Sequence, residues 1–438
     1  MTAPGPSKLR WVMWGIPAFL FLIAFLHRVA PGVMAKDLMQ AFHVSSTAVG
    51  LVSSTYFYTY AGFMIPAGLL IDALGVRRTM TAGGAVMGAG TLAMGLAATE
   101  PLLFAGRAAV GLGATVTFIG TLQIAANWFP PSHFGTLAAV TATVGVLGSL
   151  VATYPLAGLI TVVGWRGSLE LIGAVTLFLS LLCAIVVRDR PGDPERAPAP
   201  APALRDVTAG MIEVLRNVHT WPPFLAFFCL YAAMGNLMLW VVPYLRDVYG
   251  LSTTSAAFYA TATSLALLVS GPLTGFVSDR VVKRRKLPYS LLTACSLALW
   301  LLFVATLGAL PLAGVYALFF AMGLVGGAFV LTWPLGREVN PPHLAGIAVA
   351  VVNLGGFVGA AFTQGPLGAV LDARWTGLTL HGARVYPLAA YRAAFTLCAL
   401  AVLAALAFTA LFRETRGRNI YHELPGTSAL APSRRDPA

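Results

Sequence analysis

Two arginines and a histidine of the first half lie several residues inside stretches that are otherwise apolar. His27 and Arg28 lie in the run that begins at Trp11, and Arg107 lies in the run 102–126. An ionised arginine in hydrocarbon costs at least about 2.5–3.5 kcal/mol, so such residues normally face a cavity and a partner. Arg28 is about six residues from the outer end of its run and Arg107 about five from that of its own. At about 1.5 Å of rise per helical residue, both are expected several ångströms below the outer surface. The first half offers no acid at that depth within its runs: Asp37 follows the first, and Asp72 closes the second at the opposite face. Two unpaired cations point to an anion supplied from outside. The bland alternative is that either arginine snorkels to the interface or binds backbone carbonyls.

Other polar side chains in the apolar runs are candidates to line a cavity. Tyr56, Tyr58 and Tyr60 alternate around one helix, so at most two of them face it. Tyr60 and Tyr56 are joined by Asn236, Trp240, Asn353 and Gln364 as candidate substrate contacts, although helix–helix hydrogen bonding explains buried amides equally well. His27 is a candidate proton carrier because imidazole titrates near neutral pH. Its alternative is a histidine that caps polar groups at a helix bend. Glu338, beside Arg337, is the second coupling candidate, with an ion pair to Arg337 or a neighbour as its plainer reading. No nucleophile–base set, phosphate loop or metal cluster is present in the sequence, so no cofactor, metal or enzymatic activity is expected. The four cysteines fall in apolar runs without ligand spacing and read as small core residues.

The elements that must hold these residues are membrane spans. The chain is 58% hydrophobic and 10% charged, with a mean hydropathy of +0.79, too little charge to cover a soluble domain. Runs of about 20 residues, long enough to cross a bilayer, fall at 11–34, 46–71, 79–98, 102–126, 137–162 and 168–187. A second set falls at 222–246, 255–278, 289–308, 312–335, 346–371 and 388–412. If the N-terminus is cytoplasmic, most of the arginines and lysines collect on that side; outside stand Lys36, Arg166, Arg246, Arg374, Arg384 and Arg392. Both termini are therefore expected in the cytoplasm. The same sorting explains the net charge of +12 without a nucleic-acid partner.

The two sets repeat each other. Gly68, Asp72, Gly75, Arg77 and Arg78 form a charged hairpin after the second run, and Gly275, Asp279, Arg284 and Arg285 form its copy 207 residues later. The proline pair Pro130–Pro131 is echoed by Pro341–Pro342, 211 residues on. Between the sets lies a proline-dense linker, 189–203. Leu204, Val207, Met211, Leu215 and Val218 follow at helical spacing and predict a short amphipathic helix on the interface. The expected division is 1–187 for the first six-helix bundle, 188–221 for the linker, 222–412 for the second bundle and 413–438 for a tail.

With these motifs the chain resembles the major facilitator superfamily over essentially its full length. The resemblance implies an all-α membrane fold of twelve transmembrane helices in two pseudo-symmetric bundles around a cavity that opens alternately to each side. Asp72, at the end of its span, is expected to cap a neighbouring helix or pair with an arginine when that side is closed. Asp72, Arg77, Arg78, Asp279 and Arg284 are thus gating candidates, although the arginines also serve simply to fix topology. The placement of Arg28 is similar to that in the organic-anion branches, namely organophosphate antiporters and the anion–cation symporters that include sialin-like carriers. There a span-one arginine binds the anionic group, and in sialin-like carriers a span-four arginine matches Arg107. The organophosphate branch has another arginine in span seven, whereas here that place is near Met234, Gly235 and Asn236. The expected function is a monomeric secondary transporter, a symporter of a small organic anion such as a carboxylate, linked to protons. An exporter of amphiphilic or cationic compounds is the alternative; a receptor is the third. The Ala-, Arg- and Pro-rich composition suggests a bacterial inner membrane.

Overall fold

The computed structural model describes residues 8–191 and 204–425; the proline-dense stretch of the linker and the end of the tail lie outside them. The first half comprises α1 (Leu9–Phe42), α2 (Ser46–Leu74), α3 (Val76–Gly95), α4 (Glu100–Trp128), α5 (Phe134–Val151) and α6 (Tyr154–Val186). After α7 (Leu204–Arg216) come α8 (Trp221–Tyr249), α9 (Thr253–Phe276), α10 (Lys286–Ala305), α11 (Leu312–Gly326), α12 (Thr332–Glu338), α13 (Ala345–Asp372) and α14 (Leu388–Ala410). A two-residue ribbon, β1 (Thr379–Leu380) and β2 (Ala383–Arg384), stands between α13 and α14.

Among the described residues, eleven helical segments are long and apolar enough to cross a bilayer, α11 and α12 counting as one. The twelfth, α3, is diluted by Arg77, Arg78 and its glycines, yet it packs between α4 and α6. Large apolar side chains such as Val162, Phe178 and Ile185 are exposed around the outside, as a lipid-facing belt requires. The result is an all-α membrane fold.

Breaks in the helices have local causes. The stretch Tyr154–Val186 is two helices meeting at Gly164, whose φ of 72° is readily adopted only by glycine. Residues 154–163 therefore continue the crossing begun by α5, which explains why the sequence shows one apolar run over 137–162. Pro66 in α2 and Pro272 in α9 remove hydrogen bonds at matching places in the two halves. Packing repeats as well. A Cβ on Gly148 would lie 2.1 Å from the Leu22 carbonyl oxygen, and one on Gly359 would lie 2.2 Å from that of Phe228. These are the same helix pair in each half, α5 on α1 and α13 on α8. The proline pairs become short 3₁₀ turns, Pro131–His133 and Pro342–Leu344.

Both described chain ends lie on one face of the bundle, here the terminal face. At the opposite, far face the halves are joined. Lys36 reaches from α1 to Asp247 of α8 at 2.6 Å, with the two side chains 5% and 4% exposed. Asp372, the last residue of α13, accepts from the backbone N–H groups of Ser46 and Thr47 at 3.2 and 2.8 Å, and so caps the start of α2. Tyr386 binds both acids, its N–H donating to Asp247 and its hydroxyl to Asp372. Among the described residues, hydrogen bonds between the halves gather here, apart from a 3.9 Å contact of Asn353 Nδ2 with Met64 Sδ.

This corrects the expectation that the first span ends at 34. Lys36 and Asp37 belong to α1, because a partner in the other half neutralises Lys36 within the helix. An amphipathic helix follows the linker as α7, and it covers part of the second half. α7 packs Met211, Val214 and Leu215 against Leu344, Ile347, Ala348 and Val351 of the second half. Val218 lies outside that face and is 67% exposed. Of the cysteines, Cys183, Cys229 and Cys398 are buried but Cys295 is exposed on the helix surface.

Candidate functional site

α1 runs on to Phe42, so Arg28 is nineteen residues from Leu9 and fourteen from Phe42. It therefore sits near the middle of its helix, deeper than its apparent distance from the end of an apolar run implied. Its Nε donates to the Tyr56 hydroxyl at 3.3 Å. Its guanidinium carbon lies 3.9 Å from the ring centre of Phe25 and 5.0 Å from those of Tyr60 and Phe357. Such stacking is attractive for a cation over a π face. Tyr60 and Tyr231 also turn towards the guanidinium. Among the described residues no carboxylate lies within ion-pair distance of Arg28, which remains partly exposed.

Arg107 is next door but shut away. It is fully buried, its Nη1 donates to the His27 carbonyl at 2.8 Å, and its guanidinium lies 4.9 Å from the Tyr56 ring centre. Its Nε and Nη2 have no partner among the described residues. Arg107 also lines a cavity of about 10 Å³, with His27, Met34, Val52, Met94 and Leu169 among others, room for about one water. His27 is equally buried; its Nε2 meets the Thr91 hydroxyl at 3.0 Å and its Nδ1 has no partner among the described residues. Tyr56 holds the cluster together, donating its own proton to the Ala24 carbonyl at 3.1 Å.

Of the tyrosines on α2, Tyr56 and Tyr60 face inward, while Tyr58 is 42% exposed and packs on Phe362. Tyr60 contacts Phe357 of α13 at 4.6 Å between ring centres, and Phe57 and Tyr231 complete an aromatic layer between the halves. One turn nearer the terminal face, Asn353 accepts from Trp333 Nε1 at 3.0 Å. Trp333 in turn borders a cavity of about 340 Å³ that also touches Asp279, Arg285 and Arg337. The far-face side of the layer holds Asn236, whose Nδ2 donates to Thr363 Oγ1 at 2.9 Å, and Gln364, whose Nε2 approaches the Gly235 carbonyl at 3.4 Å. Asn236 Oδ1, Gln364 Oε1 and Trp240 Nε1 are buried without partners among the described residues.

The gating and coupling candidates lie at the terminal face. Asp72, Arg77 and Arg78 are exposed. The N–H of Arg77 is capped by Asp189 at 2.7 Å and its Nε donates to the Ala184 carbonyl at 2.7 Å, so the start of α3 is tied to the end of α6 and not to Asp72. In the second copy Asp279 pairs with Arg285; Arg284 is exposed and engages only through its carbonyl, which accepts from Ser278. The six residues Val277–Val282 form a π-helical turn, whose wider winding shifts the phase of the following arginines. Glu338 is 2% exposed and lies 3.4 Å from Arg285 and 4.0 Å from Arg337. Thr415 donates to its other oxygen, and its carbonyl accepts from the N–H of Ile420 at 2.8 Å. Burial opposes the charge on Arg285, but Asp279 and Glu338 beside it hold its pKa above the usual guanidinium value. The engagement of Thr415 and Ile420 was not visible in the sequence, where 413–438 reads only as a polar tail.

A family model described as Major Facilitator Superfamily matches residues 18–364. The chain is 24% identical to a probable sulfoacetate transporter, SauU, of Cupriavidus necator over 63% of its length; that match spans 66% of the relative, just under two thirds. It is 26% identical to a probable galactarate/D-glucarate transporter, GudP, of Bacillus subtilis over 87% of this chain and 90% of that one. It is 23% identical to the membrane sensor protein UhpC of Salmonella typhimurium over 83% and 85%. Among solved structures, a bacterial homologue of the human lysosomal transporter Spinster, inward-facing and unoccupied, superposes with a TM-score of 0.77 at 16% identity, covering 96% of this chain and all of that one. That likeness establishes the fold alone.

Proposed function

The chain belongs to the Major Facilitator Superfamily and is a multi-pass membrane transporter, not an enzyme; on that premise we propose that it carries a small organic anion, a carboxylate or similar acid, by alternating access linked to protons. The observation that carries the reading is Arg28: a mid-helix guanidinium, partly exposed, with aromatic neighbours and no carboxylate in ion-pair reach among the described residues. A charge so placed is stabilised when an anion completes it. Relatives whose names include sulfoacetate and sugar-acid transporters support the same class. The alternative, a carrier of cations, would place its cargo beside Arg28 and Arg107, where like charges repel.

Residues 1–187 and 222–412 act as the two moving bodies, joined by 188–221 and followed by the tail. The terminal face is the cytoplasmic one by the distribution of arginine and lysine, and the membrane is a bacterial inner membrane by composition. The far-face bonds of Lys36 and Asp372 then correspond to an outward gate that is closed, with the inner cavity reached from the cytoplasm. Asp72, Arg77 and Arg78 on one side and Asp279 with Arg285 on the other serve the inner gate. Of the coupling candidates, Glu338 is better placed than His27. Protonation of Glu338 would release Arg285 and Thr415, whereas a proton on His27 would sit against Arg107.

Ligand-induced thermal stabilisation of the purified protein tests the reading. Carboxylates are expected to raise the unfolding temperature of the wild type and to leave that of Arg28→Ala unchanged. Equal stabilisation of both proteins would refute it.

A further inference from the structure

The arginine site has one usable charge, and this bears on which anions it takes. Arg107 cannot reach a ligand held at Arg28 without leaving the His27 carbonyl, since it is fully buried and the cavity it lines holds no more than about one water. Among the described residues, no cation of the second half stands beside Arg28 to replace Arg107. The side chains that α8 and α13 bring to the same region are Asn236, Asn353 and Gln364, all neutral and engaged with neighbouring helices. Arg285 and Arg337 belong to the terminal-face cavity, beyond the layer of Tyr60, Phe357 and Tyr231. The walls around Arg28 are rings: Phe25, Tyr60 and Phe357 lie against its guanidinium, and Tyr56 holds its Nε.

Resting on the anion reading above, we infer that the site selects monoanions whose body is flat and apolar, such as aromatic monocarboxylates, over dianions and polyhydroxylated acids. One guanidinium neutralises one carboxylate. A second carboxylate on the same ligand would be buried against aromatic faces, where an unpaired charge is costly and the negative π surface repels it. A polyhydroxylated body would set its hydroxyls against the faces of Phe25, Tyr60 and Phe357, whereas the unpartnered Asn236 Oδ1 and Gln364 Oε1 among the described residues lie on the far-face side of the layer. An aromatic body instead stacks on Tyr60 and Phe357 with favourable offset or edge geometry.

The test is competition in proteoliposomes containing the full chain, using labelled benzoate as the transported probe. Unlabelled benzoate, phthalate, D-gluconate and D-glucarate are added at one pH where every carboxyl is ionised. Benzoate is expected to compete at least tenfold more strongly than phthalate, which adds only the second charge, and than gluconate, which keeps one charge but replaces the ring. Asn236→Lys, which places a cation in the second half, is expected to narrow the benzoate-to-phthalate ratio, and Phe357→Leu to weaken benzoate while sparing gluconate. Phthalate or glucarate competing as well as benzoate in the wild type would overturn the inference and leave the anion carrier standing. Failure of the anion reading itself looks different: cations compete, and Arg28→Ala transports as the wild type does.

Discussion

Arg28 and Arg107 meet at two parts of one side chain: Arg28 donates to the Tyr56 hydroxyl at 3.3 Å, while Arg107 lies 4.9 Å from the centre of the Tyr56 ring. The pair looked equivalent by residue type and apparent depth. In the fold one arginine is spent on the backbone of α1 and the other is open. Tyr56 separates the two roles.

Tyr56→Phe removes the hydroxyl that Arg28 donates to and that itself donates to the Ala24 carbonyl. The ring remains, so the fold should persist. Losing one hydrogen bond to a charged group costs roughly 1.5–3 kcal/mol, and anion affinity should fall about tenfold or more. Titration of the thermal shift with benzoate measures it.

Arg107→Met should behave as a stability variant. It leaves the His27 carbonyl without its donor, a loss of roughly 1–3 kcal/mol. The unfolding temperature should fall while the additional stabilisation by ligand is retained. Loss of ligand response with unchanged stability would make Arg107 a ligand contact instead.

Lys36 and Asp247 bridge the halves while almost fully buried. Removing one partner of a buried pair typically costs about 3–5 kcal/mol, whereas replacing both by apolar groups is far milder. Lys36→Met or Asp247→Asn should therefore shift the protein towards a state open at the far face. Cysteines placed on α1 and α8 near that face should become more reactive to a membrane-impermeant thiol reagent. The double variant Lys36→Met with Asp247→Leu should restore only part of the protection, because the Tyr386 N–H also loses its acceptor.

The spans and their duplication were legible because a bilayer imposes length, apolarity and charge sorting on each segment separately. Gly148 and Gly359, Pro66 and Pro272, and the two proline turns carry the repeat into packing. What the sequence hid depends on partners distant in the chain. Lys36 read as a loop residue because Asp247 stands 211 residues away. Spacing of five after Asp279 points to Arg284, whereas Asp279 pairs with Arg285 across a π turn that no residue type announces. Arg28 and Arg107 were found by type alone; which of them is open was decided by a carbonyl on a neighbouring helix.

Glu338→Gln and His27→Gln separate the coupling candidates. Glu338 links Arg285 to Thr415 of the tail, and its amide replacement should remove the acceleration of uptake by an imposed pH gradient. His27→Gln should keep that acceleration even if its rate falls, because the proton does not reside there. Uptake with and without the gradient, compared within each variant, gives the answer.

The most direct measurement of the central claim is uptake by proteoliposomes of wild type and Arg28→Ala, with carboxylates and cations offered in parallel. The account predicts carboxylate accumulation by the wild type, no cation accumulation, and no carboxylate transport by correctly folded Arg28→Ala. Cation transport that survives Arg28→Ala, with carboxylates ignored by both proteins, would contradict it.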